Sequence, residues 1–476
     1  MIAYLMNYLK EKKILILGFG REGKSTYNLI REHLSEKDLT IADMKENFEN
    51  DYDFLVKDNH AKFISGKKYL DNLNDYDLII KSPGIAFNTI DVDNIKTKIT
   101  SQMELFLEFF NNFTIGITGT KGKSTTSSLI YKVIKDFGKD TYLLGNIGKP
   151  IFEVLDEINE NQIVVLEMSS HQLEFMKKSP NIALLLNIFE EHLDHYRSFQ
   201  GYIDAKCNIF RNQNENDFFI YNGDNENVMK NIGTLKQNNV FVSINEENYN
   251  KKLNERNQNE HVCYLKDGYV YYDGEKIYSE NEERNLKGTY NLNNIMFVLS
   301  VCKILNIDLS SAAKSISEFK TLPHRLEYAG TFDGVSYYDN SIATIPMATI
   351  EAVKALKNVN TLIIGGMDRG IDYEHFIKFL KDSSCKNIIC MPKTGYDIFD
   401  EFASKNGNEI NKLAKELKTE NHNFYKAETM EEAVSIAKKV TEKNSICLLS
   451  PAAASYGFFK NFEEKGDLFK KLIEVK

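Results

Sequence analysis

The sequence predicts an α/β protein with parallel sheets, and three observations support this fold class. Short apolar runs recur along the 476 residues, and most are followed by a helical pattern. Several runs end in Gly, Ser, Pro or Asn, as strands do where they meet a ligand crevice. Because 42% of the residues are hydrophobic and the chain is too long for one ordinary domain, we expect two or three domains.

Eight runs predict strands because they are short, apolar and bounded by turn residues or charges. They are KKILILG (12–18), DLIIKSPG (77–84), TIGITG (114–119), QIVVLEMSS (162–170), IALLLN (182–187), NTLIIGG (360–366), NIICM (387–391) and SICLLSP (445–451). Their alternation with helical patterns favours parallel sheets covered by helices on both faces.

Two stretches rich in Asn, Glu and Lys, 212–285 and 400–425, interrupt this alternation. Each predicts a solvated insertion. Within the first stretch, YVYYDGEKIYS (269–279) predicts a hairpin with Asp273 and Gly274 at its turn. Domain boundaries are expected elsewhere, near 97 and 322, after the first strand–helix units and where a Leu-Pro pair interrupts the chain.

Charge and cysteine content argue against several classes of protein. The 59 basic and 68 acidic residues give a net charge of −9, which disfavours general affinity for nucleic acid or anionic membrane. The six cysteines never fall in a C-x-x-C spacing and predict reduced thiols. Because no apolar run is long enough for a signal peptide or a membrane span, we expect a soluble, cytoplasmic protein.

The strongest chemical motif is GITGTKGKST (116–125), which lies between a predicted strand and an amphipathic helix. Gly122, Lys123 and Ser124 supply the G-K-[ST] end of a phosphate loop, in which backbone N–H groups and the lysine bind phosphates and the hydroxyl binds Mg²⁺. The strict spacing fails, because Ile117 stands five residues before Gly122. The motif therefore predicts a variant phosphate loop.

Carboxylates and imidazoles follow the next two predicted strands. Glu167 lies at the end of QIVVLEMSS, where a carboxylate can hold the Mg²⁺ that bridges ATP phosphates. The next loop crowds five polar residues into six positions: Glu190, Glu191, His192, Asp194 and His195. This density suits a metal or phosphoryl-transfer site, although a charged surface loop is the plainer interpretation of that segment alone.

The first sixty residues contain a second glycine loop. KKILILGFGREG (12–23) places Gly18, Gly20 and Gly23 in the spacing G-x-G-x-x-G, and Asp43 ends the next strand. This is the dinucleotide fingerprint with its ribose-binding acid. An NAD-dependent oxidoreductase is therefore an alternative, although the second phosphate loop needs a ligand of its own.

Ten motifs, taken in order, resemble those of the Mur ligase family over nearly the whole chain. They are GITGTKGKST (116–125), GNIG (145–148), EMSSHQLE (167–174), LNIFEEHLDHY (186–196), AKCNIF (205–210), KGTYNLNN (287–294), LPHRLE (322–327), DNSIAT (339–344), GGMDRGIDY (365–373) and LLSPAAASYGFFKNFEEKGDLF (448–469). Ten motifs in one order form a highly specific pattern.

The resemblance implies three domains: a Rossmann-like domain over 1–97 that binds the UDP part of the substrate, a central P-loop-type ATP-binding domain with a parallel sheet over 98–322, and a Rossmann-like domain over 323–476 that binds the incoming amino acid. It implies a monomeric ligase of peptidoglycan synthesis that uses ATP and Mg²⁺. The implied reaction joins D-glutamate to UDP-N-acetylmuramoyl-L-alanine through an acyl phosphate.

The resemblance also implies roles for individual residues around ATP. The ATP contacts would be Gly119, Thr120, Lys121, Gly122, Lys123, Ser124, Thr125, Asn291, Asn294 and Arg325. The metal contacts would be Ser124, Glu167, His192 and Lys206, the last as a carbamate. The catalytic residues would be Lys123, Glu167, His192 and Lys206. Without the resemblance, Lys206 is an ordinary exposed lysine of a polar helix.

The two remaining substrates have implied contacts as well. The UDP substrate would be bound by Gly18, Arg21, Glu22, Asp43, Lys45, Asn146 and Ser169. D-Glutamate would be bound by Thr344, Arg369, Ser455 and Phe462. A serine loop before a helix N-terminus suits a carboxylate, because free N–H groups point at the anion.

Some positions depart from the family pattern. Lys121 replaces the usual Asn and adds a positive charge beside the triphosphate, and Tyr290 replaces an imidazole. The usual Asp-Ser-Lys-Ala-Thr becomes NSIAT (340–344), which lacks the lysine. The acid of that motif is either shifted to Asp339 or replaced by Asn340.

Three alternatives to a D-glutamate ligase stay open on the sequence alone. The first is a related ATP-dependent ligase, either a Mur-like enzyme for another amino acid or one like folylpolyglutamate synthase. The second is the NAD-dependent oxidoreductase. The third is a nucleotide-regulated binding protein that uses its phosphate loop as a switch.

Overall fold

The computed structural model describes residues 1–192, 195–356, 358–405 and 415–475, without the side chain of residue 405. The chain forms two compact units, and the first consists of Met1–Arg284 with Asn291–Phe319. The second consists of Asn285–Tyr290 with Lys320–Lys476. The first unit contains two sheets, called here the first and second sheets, and the second unit contains the third sheet.

The described strands are β1 (Ile14–Leu17), β2 (Leu39–Asp43), β3 (Ala61–Ser65), β4 (Leu78–Lys81), β5 (Lys98–Thr100), β6 (Thr114–Thr118), β7 (Thr141–Gly145), β8 (Ile163–Glu167), β9 (Ile182–Leu185), β10 (Phe218–Asn222), β11 (Asn238–Ser243), β12 (Glu260–Lys266), β13 (Tyr269–Tyr272), β14 (Glu275–Ser279), β15 (Glu327–Phe332), β16 (Val335–Asp339), β17 (Val359–Gly366), β18 (Asn387–Lys393), β19 (Glu416–Lys418), β20 (Asn423–Lys426) and β21 (Ile446–Leu449). All eight predicted strands are confirmed.

The described α-helices are α1 (Ile2–Lys10), α2 (Arg21–His33), α3 (Asp53–Val56), α4 (Gln102–Phe109), α5 (Lys123–Asp136), α6 (Ser170–Leu173), α7 (Phe199–Arg211), α8 (Glu226–Asn231), α9 (Glu246–Glu255), α10 (Thr289–Ile304), α11 (Leu309–Glu318), α12 (Pro346–Leu356), α13 (Glu374–Asp382), α14 (Thr394–Lys405), α15 (Met430–Val440) and α16 (Phe462–Glu474). Within the described part of the chain, no helix combines the length and apolar character needed to cross a membrane.

The first sheet is parallel throughout and has the strand order β3-β2-β1-β4-β5. Its central strand β1 has the sequence ILIL and is buried along its full length. A run without polar alternation is expected for a strand covered on both faces. Gly18 follows β1 with a φ of +90°, so the chain turns there into α2.

The second sheet has the order β14-β13-β12-β11-β10-β9-β6-β8-β7. Its strand pairs are parallel except for β12–β13 and β13–β14 at one edge, which are antiparallel. The hairpin predicted with its turn at Asp273 and Gly274 is confirmed. The interpretation of 212–285 as a solvated insertion is wrong, because this stretch supplies β10 to β14. Its Asn-rich connections surround buried runs such as FFIYN in β10.

The third sheet has the order β15-β16-β21-β17-β18-β20-β19, with antiparallel strands at its two edges. The other interpretation as a solvated insertion, for 400–425, is wrong where the structure describes it, because β20 pairs in parallel with β18. Residues 406–414 of this stretch lie outside the described residues.

Helices cover both faces of the third sheet. Ile364 of β17 packs in a core cluster with Phe376 of α13, whereas the neighbouring Ile363 packs in a second cluster with Phe469 of α16. Adjacent strand residues point to opposite faces, so each face has its own apolar layer. The α/β fold class with three parallel-sheet domains is confirmed, and the boundaries near 97 and 322 stay predictions.

Candidate active site

The phosphate-loop candidate connects β6 to α5 in the second sheet. Gly122 precedes α5 with a φ of +89°, a left-handed conformation that glycine adopts readily. The Lys123 side chain folds back over the loop, and its Nζ donates to the carbonyl oxygens of Gly119, at 2.8 Å, and Thr120, at 3.2 Å. The loop therefore places a lysine amine and a helix N-terminus together, which is the chemistry of a phosphate site.

Asn187, just after β9, braces the same loop. Its Oδ1 accepts from the Lys121 backbone N–H at 2.8 Å, and its Nδ2 donates to the Lys121 carbonyl at 3.0 Å. Its carbonyl accepts from the Thr120 N–H at 2.9 Å. Sequence analysis did not assign Asn187 a role, although the asparagine that ends IALLLN was the available signal.

The Lys121 side chain forms an ion pair with Glu191, with 2.8 Å between Nζ and Oε1. Burial alone would raise the pKa of the Glu191 carboxyl, but the Lys121 ammonium holds this pKa below its usual range. Of the remaining loop residues, Ser124 is half-buried and Thr125 is buried in the first turn of α5. The additional lysine of this loop is therefore anchored by a carboxylate of the neighbouring loop.

Glu167 is fully buried at the end of β8. Its Oε1 accepts from Asn146 Nδ2 at 2.7 Å, and its Oε2 accepts from Ser127 Oγ at 3.4 Å. Among the described residues, no basic side chain forms an ion pair with it. A buried carboxylate without a compensating charge is costly, so the oxygen donors here fit a divalent cation.

Ser169 begins the short helix α6 through a capping box with Gln172. The Ser169 hydroxyl accepts from the Gln172 N–H at 3.2 Å, and Gln172 Oε1 accepts from the Ser169 N–H at 3.0 Å. This arrangement satisfies helix N–H groups immediately after Glu167. The spacing of serine and glutamine in EMSSHQLE was its sequence signal.

Lys206 lies on α7 and is 1% exposed, so its interpretation as an ordinary exposed lysine is wrong. Its Nζ donates to the Gly119 carbonyl at 2.9 Å and lies 4.8 Å from the centre of the Tyr202 ring. Burial, and then the nearby Lys123 ammonium, hold the pKa of Lys206 well below its ordinary value. Helix α7 thus places an amine with a lowered pKa, Lys206 Nζ, in contact with the phosphate loop.

Three imidazoles lie close together after β9 and in α6. The ring centres of His171 and His192 are 4.8 Å apart, and those of His171 and His195 are 4.2 Å apart. Burial lowers the pKa of His171 to about 3, aided by the other two imidazoles. His192 is partly exposed and has a φ of +60°. Asp194 lies outside the described residues.

A buried ion pair lies beside these imidazoles. Lys81 Nζ, at the end of β4, lies 3.1 Å from Glu174 Oε2, which also accepts from His195 Nε2 at 3.2 Å. Burial lowers the pKa of Lys81, although Glu174 opposes this effect. Sequence analysis did not predict this pair, because its partners are 93 residues apart and join the first sheet to the second.

In the first glycine loop, Asp43 braces the backbone. Its Oδ2 accepts from the Phe19 N–H at 2.7 Å, and its Oδ1 accepts from the Lys45 N–H at 2.9 Å. The Lys45 side chain pairs with Asp51 on the surface. Ser82, after β4, donates to the Gly18 carbonyl at 2.8 Å. The predicted ribose-binding acid therefore lies at the loop and supports its shape.

Of the predicted adenine and phosphate contacts, Asn291 and Asn294 belong to the first unit and Arg325 to the second. Asn291 and Asn294 lie one turn apart on α10, with 3.4 Å between Asn294 Nδ2 and Asn291 Oδ1. Arg325 belongs to the second unit, where its N–H donates to the Leu322 carbonyl at 3.1 Å.

Two of the four predicted D-glutamate contacts, Arg369 and Ser455, lie near the ends of β17 and β21. Met367 and Ala454 pair as an isolated bridge, which brings the exposed Arg369 and the buried Ser455 onto neighbouring loops. Ser455 Oγ has no hydrogen-bond partner within the described part of the chain. Phe462 is the first residue of α16, and Thr344 lies in the loop before α12.

Asp339 directly precedes the altered NSIAT motif and is one of the two candidates for its acid position. This residue is fully buried, and its carboxylate accepts from the Ser341 N–H at 2.8 Å and lies 2.8 Å from His324 Nδ1. Asn340 instead donates to Ser450 Oγ at 3.0 Å. Lys465, which has no role predicted from the sequence, is 1% exposed and donates to the Gly365 carbonyl at 2.8 Å.

Three mostly parallel sheets with helices, together with a lysine-containing phosphate loop beside a buried carboxylate, define the class: a nucleotide-phosphate-binding enzyme. Residues 117–302 match the family model described as "Mur ligase middle domain". A UDP-N-acetylmuramoylalanine–D-glutamate ligase of Thermoanaerobacter sp. (strain X514) is 33% identical over 98% of both chains. The enzyme so named from Clostridioides difficile (strain 630) is 31% identical over 97% of this chain and 98% of its own.

Solved structures share the fold at low sequence identity. MurF ligase from Thermotoga maritima in complex with ADP is 16% identical, with a TM-score of 0.57 over 98% of this chain and 96% of that chain. MurF from Acinetobacter baumannii is 13% identical, with a TM-score of 0.59 over 99% of this chain and 98% of that chain.

The chain belongs to the Mur ligase family. Members of this family use ATP to join an amino acid to a peptidoglycan precursor through an acyl phosphate, and this protein is a ligase. The oxidoreductase and switch alternatives are left without support.

Proposed function

We propose that the protein joins D-glutamate to UDP-N-acetylmuramoyl-L-alanine, using ATP, in the cytoplasmic synthesis of peptidoglycan precursors. The observation that carries this proposal is the full-length similarity to relatives named as ligases for these two substrates. The MurF structures support the fold alone, since their identities are 16% and 13%. We also propose that the enzyme works as a monomer, with its domains bounded near 97 and 322.

ATP is assigned to the loop between β6 and α5. Backbone N–H groups of the loop and of the α5 N-terminus would surround the phosphates, while Lys123 would leave the Gly119 and Thr120 carbonyls for phosphate oxygens. The remaining assigned contacts are Gly119, Thr120, Lys121, Gly122, Ser124, Thr125, Asn291, Asn294 and Arg325.

Mg²⁺ would be held by Ser124, Glu167 and His192, with Lys206 contributing as a carbamate. Support comes from the buried carboxylate of Glu167, which forms no ion pair with a basic side chain in the described ranges, and from the lowered pKa of Lys206. Only a neutral amine adds to CO₂. When bound, the cation would screen the negative charge of the phosphates.

The reaction activates a carboxylate, which is a poor electrophile until one of its oxygens becomes part of a phosphate leaving group. A carboxylate oxygen of the alanyl group attacks the γ-phosphorus, and the bond from this phosphorus to the oxygen of ADP breaks. The amine of D-glutamate then attacks the carbonyl carbon, loses a proton, and phosphate leaves with the former carboxylate oxygen. Lys123 would stabilise the charge that accumulates on the phosphoryl oxygens.

The other two substrates are assigned to the loops described above. The UDP substrate would contact Gly18, Arg21, Glu22, Asp43, Lys45, Asn146 and Ser169. D-Glutamate would contact Thr344, Arg369, Ser455 and Phe462. Ser455 supports the second assignment, because a buried hydroxyl without a partner in the described residues can bind a ligand carboxylate.

An isotope experiment tests the acyl phosphate. UDP-N-acetylmuramoyl-L-alanine labelled with ¹⁸O in its carboxylate is incubated with the enzyme, ATP, Mg²⁺ and D-glutamate, and the released phosphate is analysed by mass spectrometry. The proposal predicts one ¹⁸O atom in each phosphate formed with the amide product. Unlabelled phosphate would mean that ATP is hydrolysed by water, which would contradict it.

A further inference from the structure

Two adjacent residues at the start of α2 reach across from the first sheet to loops of the second sheet. Arg21 Nη2 donates to the Gly148 carbonyl at 2.7 Å. Glu22 Oε1 accepts from Gln172 Nε2, also at 2.7 Å. Gly148 belongs to the loop after β7, and Gln172 belongs to α6, which follows β8.

These two loops enclose Glu167. On the β7 side, Asn146 donates to Glu167 twice: its N–H to the Glu167 carbonyl at 2.9 Å, and its Nδ2 to the carboxylate at 2.7 Å. A Cβ placed on Gly145 would lie 2.3 Å from the Glu167 carbonyl oxygen, so the loop and the end of β8 are in close contact. A displacement of the loop after β7 must therefore move Glu167, and α6 begins only three residues after Glu167 in the chain.

At their other end, Arg21 and Glu22 are tied to the first glycine loop. A Cβ placed on Gly23 would lie 1.9 Å from the Gly18 carbonyl oxygen, so the first turn of α2 packs directly on this loop. Gln102 donates to the Glu22 carbonyl at 2.6 Å and to Thr26 Oγ1 at 2.8 Å, which fixes the same turn from α4. A ligand that moves the glycine loop must therefore move Arg21 and Glu22.

We propose that Arg21 and Glu22 are positioning residues that couple occupancy of the first glycine loop to the placement of Glu167. The identity of the two ligands, a UDP-sugar and Mg²⁺-ATP, rests on the proposed function. A diphosphate at the glycine loop attracts Arg21 and repels a charged Glu22, so it acts unequally on the two contacts. Such unequal action is the requirement for coupling between two sites, and the coupling is reciprocal.

The charge around Glu22 agrees with this role. Burial raises the pKa of the Glu22 carboxyl to about 7, while the Gln172 hydrogen bond and the positive charges of Lys81 and Arg21 act against burial. Lys81 is in turn paired with Glu174. The Glu22 carboxyl that binds Gln172 thus changes its charge in response to neighbouring charged groups. A diphosphate bound at the glycine loop would be such a group.

Binding measurements on the full chain test the coupling. The dissociation constant of AMP-PNP with Mg²⁺ is measured by calorimetry without and with saturating UDP-N-acetylmuramoyl-L-alanine, in the wild type and in Arg21→Met/Glu22→Ala. Arg21 and Glu22 are also assigned as contacts of the UDP substrate, so a direct titration first establishes the concentration of this substrate that saturates each variant. The readout is the ratio of the two AMP-PNP dissociation constants, since either constant alone can change for other reasons. We expect a ratio of about fivefold or more in the wild type and less than about twofold in the double variant.

Lys24→Met is the matched control. Lys24 lies on the same turn of α2, but its Nζ lies over the Tyr52 ring, 5.1 Å from the ring centre, within the first sheet's own domain. This variant should keep the wild-type ratio. A double variant that keeps the full ratio, or a wild type whose ratio is one, would overturn the proposal.

Hydrogen exchange of the ligand-free protein separates this proposal from the proposed function. Arg21→Met/Glu22→Ala should accelerate amide exchange in 145–148 and 167–173, while exchange in 218–222 of β10 should stay unchanged. This result needs neither ligand to bind. Unchanged exchange in the first two segments would overturn the positioning role. Accelerated exchange in the variant, together with failure of the wild type to bind the UDP-sugar, would overturn only the proposed function.

Discussion

Lys123 and Lys206 donate to the same acceptor, the Gly119 carbonyl oxygen, at 2.8 and 2.9 Å. Burial of the Lys206 ammonium, and then repulsion from the nearby Lys123 ammonium, hold the pKa of Lys206 well below its ordinary value. A neutral Lys206 amine can attack CO₂ and release one proton, which yields a carbamate. The geometry of the phosphate loop therefore favours the carbamate assignment.

Lys206→Ala should lower ligase activity by at least about tenfold, because the loss of a group that supports a metal site typically costs 10–100-fold. Acetate or propionate should restore part of the activity by occupying the space of the carbamate. Activity is measured as phosphate release with and without the added acid. Lys230→Ala, at an exposed position, is the control and should be unaffected. Full activity of Lys206→Ala would refute the assignment.

Lys121→Asn should weaken the binding of Mg²⁺-ATP by about two- to tenfold, the range expected when a partly exposed charge contact is lost. The reason is that the variant removes the ammonium group that lies beside Glu191 at the loop. The measurement is the dissociation constant of AMP-PNP at two salt concentrations. Binding that is unchanged at low salt would show that Lys121 serves only its ion pair with Glu191.

Gly23→Ala should destabilise the protein by about 3 kcal/mol or more, because the new methyl group would lie 1.9 Å from the Gly18 carbonyl oxygen. Gly20→Ala is the matched control in the same loop. Gly20 has a φ of −73°, and nothing lies within 4 Å of its added Cβ, so this change should cost no more than about 1 kcal/mol. Urea unfolding of both variants measures the difference, and equal stabilities would contradict the close packing.

Lys465→Met should remove a pH dependence of stability. Burial lowers the pKa of Lys465 to about 7, although Asp339 opposes this effect. Between pH 7 and the ordinary lysine pKa of 10.5, the unfolded chain binds the proton and the folded chain does not, so the wild type gains stability as pH rises. The free energy of unfolding of the variant, relative to that of the wild type, should therefore fall by about 3 kcal/mol from pH 7 to 9.5. Parallel stability curves would contradict the low pKa.

Local patterns predicted much of the fold and part of the site. The eight apolar runs were predictable as strands because the length and apolar character of each run are local features of the sequence. The hairpin was predictable because its turn residues, Asp273 and Gly274, are adjacent in sequence. The phosphate loop was recognisable for the same reason, since its glycine, lysine and helix start are adjacent in sequence.

Contacts between distant segments could not be predicted. The Glu22–Gln172 hydrogen bond joins residues 150 positions apart, and the burial of Lys206 depends on how α7 packs against the phosphate loop. The stretch 212–285 was misinterpreted because its polar connecting segments contain more residues than its short buried runs. Whether those runs join a sheet depends on pairing with a strand outside the stretch, as β10 pairs with β9.

The most direct test of the proposed function is phosphate release from Mg²⁺-ATP with every combination of substrates. UDP-N-acetylmuramoyl-L-alanine is supplied or withheld, and D-glutamate is compared with L-glutamate, L-lysine, meso-diaminopimelate and no amino acid. The proposal predicts sustained release only when the nucleotide sugar and D-glutamate are both present, with one amide formed per phosphate. Phosphate release that requires a different amino acid, or that does not depend on the nucleotide sugar, would contradict the proposal.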